Sequence, residues 1–379
     1  MPEQARASTG QGVYQKLGIE PVINFRGTYT TIGASKQWPE LFEAQAEAAR
    51  DYVVLEELQD AIGERLSRLA GTEATMVSTG AAGSIAIGTY ACIAGDDSER
   101  IKRLPDLTGM KDEVIIQKVH RISYDHAVRG AGVKVVEVET LEQLERAVNP
   151  STAMMYFLPG NTDDRTWGDD WIRIEDALRV LRPAGVPVLA DCANILPPWD
   201  NIPELAATGV DLMAISGGKH MRGPQCSGIL AGRKDLIHAA WLNSNPHSDS
   251  NGRPMKVGRE EMVALWLACE KYADLDFKSI DKESERQARE LRRGLNRLPG
   301  VDAASSPFER MRRVHRVRAT WDEEEFGVTP REVEQQLMNG KPRIAVTRPR
   351  EGGLLFTVFM NEPGDIQAAI RRVKEVLRS

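Results

Sequence analysis

The chain has 379 residues, 41% hydrophobic and 27% charged, with 49 Lys and Arg against 55 Asp and Glu for a formal charge of −6. This is the balance of a soluble globular protein with room for a sizeable core, and it excludes collagen, mucin, coiled coil and wholesale disorder. The acidic balance gives no global attraction to nucleic acid, which leaves only local basic patches to be judged.

The first ten residues, MPEQARASTG, are small and polar, so fraying and no secretory leader are expected. Helix formers fill residues 40–69, with Leu55, Leu58, Ile62, Leu66 and Leu69 at helical spacing. Residues 72–83 predict a short strand and a glycine turn, and the small apolar run 84–94 a tightly packed helix. That run is also the most apolar stretch, and it is too short to span a membrane.

Strands are then predicted at 113–120, 133–138, 153–158, 186–191, 211–216 and 227–232, with helices at 125–130, 141–148 and 174–181. Continuous apolar strands separated by helices predict a mostly parallel sheet covered on both faces. The polar run NSNPHSDSNGRP from Asn243 reads as a boundary. Helices follow at 260–272 and 282–298, then a strand at 314–321, a helix at 329–338, strands near Arg343 and Leu354, and a helix at 365–377. The expected organisation is an N-terminal arm (1–50), a large α/β domain (51–245), and a linker helix with a small C-terminal α+β domain (246–379).

Four cysteines (Cys92, Cys192, Cys226, Cys269) form no C-x-x-C. This argues against a disulfide framework or structural zinc and points to a reducing cytoplasm. The remaining histidines show no metal-ligand spacing. Asp163, Asp164, Asp169 and Asp170 imply no fixed ligand geometry, so a solvated loop is favoured and no metal is expected. The basic run Arg312, Arg313, Arg316, Arg318 alternates with apolar residues, as in a strand with one solvated face.

Three segments carry chemistry. In Ile215-Ser-Gly-Gly-Lys-His-Met-Arg-Gly-Pro-Gln225 a lysine follows two glycines at a strand end. A partly desolvated lysine there is able to form a Schiff base with an aldehyde, while a glycine turn with a surface lysine fits equally well. A P-loop does not fit, because Met213 and His220 occupy its fixed positions. Asp191 closes a buried strand and needs a partner, which a pyridinium nitrogen or the amides of a following helix would supply. Ser78-Thr-Gly-Ala-Ala-Gly83 opens a helix, where small residues let backbone amides approach a phosphate or simply let helix pack on sheet.

In that order along a parallel sheet, the three resemble the constellation of fold-type I pyridoxal-phosphate enzymes. The chain resembles the selenocysteine synthase (seryl-tRNA selenium transferase) superfamily, and within it the branch that includes D-glucosaminate-6-phosphate ammonia lyase. The matching motifs are Val22-Ile-Asn-Phe-Arg-Gly-Thr-Tyr-Thr30, residues 73–83, His120 with Tyr124-Asp-His-Ala-Val-Arg-Gly-Ala-Gly132, Ser216 to Gln225, and Gly252-Arg-Pro-Met-Lys-Val-Gly258. Two departures weaken a tRNA substrate: Gly218 stands where the selenium transferases typically carry an aspartate, and no tRNA-binding extension is evident.

The resemblance implies an aspartate aminotransferase-like fold, with a large mostly parallel-sheet domain and a small C-terminal α+β domain. It implies pyridoxal 5'-phosphate as cofactor, with Lys219 and His120 catalytic. Lys219 would hold the cofactor and shuttle the Cα proton, Asp191 would pair with the pyridine nitrogen, and Gly80, Ala81 and Ser216 would hold the phosphate. His120 would stack on the ring. Arg253, Lys256 and Arg343 would bind an acidic or phosphorylated amino acid or amino sugar acid. His220 and His126 are further acid–base candidates. The expected reaction is Cα deprotonation and β-elimination with ammonia release to a 2-keto acid. Racemase, aldolase, β-replacement transferase and, further off, tRNA-dependent selenium transferase share its first half. A homodimer or larger homo-oligomer is expected, with neither nucleic acid nor membrane as partner.

Overall fold

The structure, a computed structural model, describes residues 12–159, 171–308 and 311–378. Residues 1–11 and the four aspartates 163, 164, 169 and 170 lie outside the described residues. The chain forms two compact units. The larger comprises 33–277 with Phe308 and 311–313; the smaller comprises the described residues up to Ile32, 278–307 and those from Val314 onward.

Twelve strands occur among the described residues. They are β1 (Val22–Asn24), β2 (Ala74–Ser78), β3 (Glu113–Gln117), β4 (Lys134–Val138), β5 (Thr152–Phe157) and β6 (Val188–Asp191), then β7 (Leu212–Ser216), β8 (Gly228–Gly232), β9 (Val301–Ser305), β10 (Arg316–Trp321), β11 (Arg343–Ala345) and β12 (Leu354–Thr357). The larger unit holds a seven-stranded sheet of order β2-β8-β7-β6-β5-β3-β4. Strands β3 to β7 run parallel to one another, and β8 runs antiparallel to β2 and β7.

Both faces of this sheet are covered, which is why its inner strands read as unbroken apolar runs. Met155, Phe157, Val188, Ala190, Met213 and Ile215 point into one core with Ile62 and Leu66 of the helix Leu55–Ala70. The alternate residues Met154, Tyr156, Leu189, Leu212 and Ala214 face Ile85 and Ile87 of the helix Gly80–Ala94. That helix is buried on nearly every side. A Cβ at Gly88 would stand 2.5 Å from Leu189 Cδ1, so a side chain there would hold helix and sheet apart.

Two expectations are revised. The helix predicted over 40–69 is two helices, Glu40–Ala48 and Leu55–Ala70. Between them Tyr52, Val53 and Val54 are non-helical and exposed, with Val54 extended; β-branched Val53 and Val54 lose side-chain freedom in a helix. The unit boundary falls after Phe277 rather than near residue 245. The helix Arg259–Ala273 inserts Met262, Leu265, Cys269 and Tyr272 into the larger core, which binds it to that unit. The polar run after Asn243 is a tight turn within the unit, with Ser244 bridged to Gly252.

In the smaller unit β12-β10-β9 form an antiparallel sheet, and β1 pairs in parallel with β11. Residues 12–32 of the expected N-terminal arm therefore belong here, and 33–50 belong to the larger unit. The core gathers Phe25, Leu291, Val317, Leu337, Phe356 and Val373, with Phe25 edge-on to Phe356 at 5.9 Å. Strand β10 alternates as expected, burying Val317 and Ala319 while Arg316 and Arg318 stay partly accessible.

Candidate active site

Strand register brings three chemistry-bearing segments of the larger unit to one edge of its sheet. Gly228 lies between Ser78 of β2 and Ser216 of β7, and Asp191 of β6 is opposite Ala214 of β7. The carboxyl ends of parallel strands are where open α/β sheets place ligands.

At the end of β2 the chain turns through Gly80, whose φ of +77° suits glycine, into the helix Gly80–Ala94. A Cβ on Gly228 would meet Gly80 Cα and C at 2.6 Å, so the two backbones touch. The first amides of the helix, from Ala81 on, lack intrahelical acceptors, as at any helix start that could meet an anion. Ser78 Oγ bonds Ser84 Oγ beneath it, and half-buried Ser216 closes β7 beside Gly228.

Asp191 is 4% exposed. Its Oδ2 accepts a 2.7 Å bond from the Tyr156 hydroxyl of β5, and its Oδ1 accepts from the Ala193 amide at 3.0 Å. Burial raises its pKa, while Tyr156, the Ala193 amide and the positive charge of Lys219 oppose that rise. A buried carboxylate so placed calls for a cationic donor.

Lys219 is half-buried in a turn closed by Gly223 N donating to Gly217 O (2.9 Å) and Arg222 N to Lys219 O (3.0 Å). A Cβ at Gly217 would stand 2.4 Å from Leu265 Cδ1, and one at Gly218 would stand 2.4 Å from the backbone Cα of Gln225. The aspartate that selenium transferases carry before the lysine therefore has no room at 218 unless the loop moves. His220, the next residue, is buried, whereas His126 is exposed.

His120 follows β3 and is fully buried. Its Nδ1 accepts from the Leu158 amide at 3.3 Å, and its ring stands edge-on to Phe157 at 4.7 Å. Burial pushes its pKa down to about 3, so it stays neutral near pH 7. That suits a stacking ring better than a proton carrier. Asp125 of the neighbouring motif is held by Arg121 and Arg129, which is a structural role.

Arg253 donates to Asn245 Oδ1 at 3.3 Å, and Lys256 is exposed on the same loop. That loop meets the end of β2 around a small cavity lined by Gln59, Ser78, Ser244, Asn245, Met255 and Val257. Arg343 lies in the smaller unit, where Nε donates to Met338 O and Nη1 to Glu20 O. Among the described residues no cluster of His, Cys, Asp or Glu could hold a metal, and no helix is long and apolar enough to cross a membrane.

Sequence reasoning missed four contributors. Tyr156 is a lone phenol in an apolar strand, and its buried hydroxyl demands a partner, a signal that was available. Arg312, read as strand surface, bonds Asn194 Oδ1 three residues past Asp191. Trp38 and Arg222 brace the lysine turn.

The pattern of the aminotransferase class-V family matches residues 123–320, which include the Asp191 strand and the Lys219 turn. The chain belongs to that family. It is 29% identical to a 5'-C-glycyluridine monooxygenase-decarboxylase of a Streptomyces species, over 96% of this chain and 92% of the relative. It is also 29% identical to the D-glucosaminate-6-phosphate ammonia lyase of Salmonella typhimurium, over 96% and 97%. L-seryl-tRNA(Sec) selenium transferases are more distant; that of Rhizobium meliloti is 27% identical over 69% of this chain and 58% of its own. The solved structure of a D-glucosaminate-6-phosphate ammonia-lyase superposes with a TM-score of 0.80 at 27% identity, covering 97% of this chain and 98% of that one. The Sphingomonas wittichii serine palmitoyltransferase shares the fold alone, with a TM-score of 0.59 at 12% identity over 94% of this chain and 87% of its own.

The protein is thus a fold-type I enzyme, and its cofactor is pyridoxal phosphate. The residues present fit that group: a Gly80–Gly228 cradle for phosphate, a buried Asp191 for a protonated ring nitrogen, and Lys219 close enough for its charge to act on Asp191.

Proposed function

We propose that the protein is a lyase acting on an acidic or phosphorylated amino acid or amino sugar acid. It removes the Cα proton, expels the β-hydroxyl as water, and takes water back as ammonia leaves, so that substrate becomes a 2-keto acid and ammonia. The full-length likeness to D-glucosaminate-6-phosphate ammonia lyase, in sequence and structure, carries this reading.

Pyridoxal phosphate supplies an electron sink that stabilises negative charge at Cα. Lys219 anchors the cofactor and takes the Cα proton on Nζ. Asp191, oriented by Tyr156 and the Ala193 amide, would keep the ring nitrogen protonated. Gly80, Ala81 and Ser216 would hold the phosphate, and neutral His120 would serve as an uncharged neighbour of the ring. Arg253, Lys256 and Arg312 provide cations for the substrate's acidic groups. Arg343, with two donors engaged by carbonyls, is the weaker candidate.

A second copy of the chain is the expected partner, supported by the exposed apolar residues Phe42, Tyr52, Val53 and Val54. Four free cysteines suit a reducing cytoplasm.

The equal likeness to the monooxygenase-decarboxylase supports a second reading, in which Cα activation is followed by oxidation and loss of the carboxylate. One assay separates the two: candidate amino sugar acids incubated with and without oxygen, with ammonia, keto acid, O2 and CO2 measured. Ammonia and keto acid in equal amounts without oxygen support the lyase; turnover that requires O2 and yields CO2 refutes it. Lys219→Ala should reduce either activity to background.

A further inference from the structure

Residues 35–38 grip the lysine turn at four points. Ser35 Oγ donates to Gly218 O at 2.8 Å, immediately before Lys219. Trp38 donates its Nε1 to Met221 O at 3.0 Å and its backbone N to Arg222 O at 3.3 Å, just after the lysine. In return Arg222 Nε donates to Lys36 O at 2.8 Å. The Arg222 guanidinium lies 3.6 Å from the centre of the Trp38 ring, and Lys271 Nζ lies 4.8 Å from the same ring while paired with Glu40.

Arg222 also has a φ of +60°, a left-handed conformation that glycine adopts without strain and arginine does not. An arginine at such a point has to be explained by its side chain, and here the side chain ties the turn to the 35–38 strap. A lysine stem is flexible, with four rotatable methylenes, so the arc its Nζ sweeps is limited by how firmly the backbone on both sides is held. Small misplacements of a catalytic group reduce rate sharply.

We propose that Arg222 and Trp38 are positioning residues: with Ser35 they form a strap that fixes the direction from which Lys219 enters the active site. The proposal rests on Lys219 holding the cofactor.

The test uses the holoenzyme and begins with borohydride reduction and mass mapping of the adduct. An adduct mapped to another residue overturns the Lys219 assignment and the strap with it. With the adduct on Lys219, visible circular dichroism per bound pyridoxal phosphate reports how the cofactor is held, independently of turnover. Arg222→Ala and Arg222→Gly should lose roughly half or more of that amplitude. Arg222→Gly removes the backbone strain, so its melting temperature should match or exceed that of the wild type while its signal still falls. Arg222→Lys, which keeps a cation over Trp38, should recover most of the amplitude. Trp38→Phe deletes the Nε1 donor and shrinks the ring under Arg222 while keeping an aromatic face, and should give an intermediate loss. Wild-type amplitude in both Arg222→Gly and Trp38→Phe, with the adduct still on Lys219, overturns the strap alone.

Discussion

Burial raises the Asp191 pKa, and Tyr156, the Ala193 amide and the charge of Lys219 hold that rise back. Tyr156→Phe removes one hydrogen bond to that carboxylate, worth about 1.5 kcal/mol or more for a charged acceptor. Turnover should fall about tenfold in steady-state kinetics, with the cofactor still bound. Asp191→Ala, which leaves the ring nitrogen without any carboxylate, should fall by about 100-fold or more. His120 adds a pH signature. Its pKa falls from 6.5 to about 3 on burial, so unfolding takes up a proton anywhere between those values. Its contribution is intact above about pH 6.5 and is lost as pH drops toward 3, at up to about 1.4 kcal/mol per unit. His120→Phe leaves the Leu158 amide unpaired, so it should melt lower at pH 8 yet show a flatter decline on acidification, as read from melting temperature against pH. At this scale Lys219, Asp191 and Gly80 were legible because each is a chemically odd residue at a strand end. Arg312 and Trp38 were not, because their partners are more than a hundred residues away in sequence and no local pattern encodes them.

Helix–sheet spacing in the larger unit is set by glycines inside helices. Gly63 and Gly88 differ in what an added methyl would meet: the backbone oxygen of Thr75 at 2.4 Å, against the tip of the Leu189 side chain at 2.5 Å. Backbone cannot yield as a leucine methyl does. Gly63→Ala should therefore lose about 2 kcal/mol or more despite alanine's better helix propensity, and Gly88→Ala less, by denaturant titration. In the smaller unit Thr329 and Glu332 form a reciprocal cap at the start of the helix Pro330–Asn339, and Thr329→Ala should cost about 1 kcal/mol. Elements with a strong period were readable from sequence. The breaks were harder: residues 49–54 look helical in composition until Val53 and Val54 stop the pattern, and β1 and β9 are three- and five-residue strands with too few bulky residues to announce themselves.

Two cores of unequal size serve one chain, and the division between them was the part of the architecture hardest to read. A polar loop signals solvent, not a change of core, so the run after Asn243 marked a turn within one unit, while the division falls at Phe277, by the short break between the helices Arg259–Ala273 and Phe277–Leu295. The exposed apolar set Phe42, Tyr52, Val53 and Val54 bears on assembly. If it is covered by a second copy, light scattering should give twice the chain mass, and Tyr52→Glu with Val54→Glu should shift the protein toward monomer.

The pairing of β1 with β11 also sets a timetable for synthesis. Val22 meets Arg343, so roughly 320 residues must be added after the first strand emerges before its partner exists. At about 5–20 residues per second that is on the order of 16 to 64 s. Nearly all of the larger unit, residues 33–277, leaves the ribosome as one run and is able to fold in that interval. The opening segment, with Phe25 destined for complete burial, has to wait for the last quarter of the chain. During translation Val22, Ile23 and Phe25 stay uncovered ahead of a folded body, and a chaperone that shields such a short apolar stretch is the helper this topology calls for.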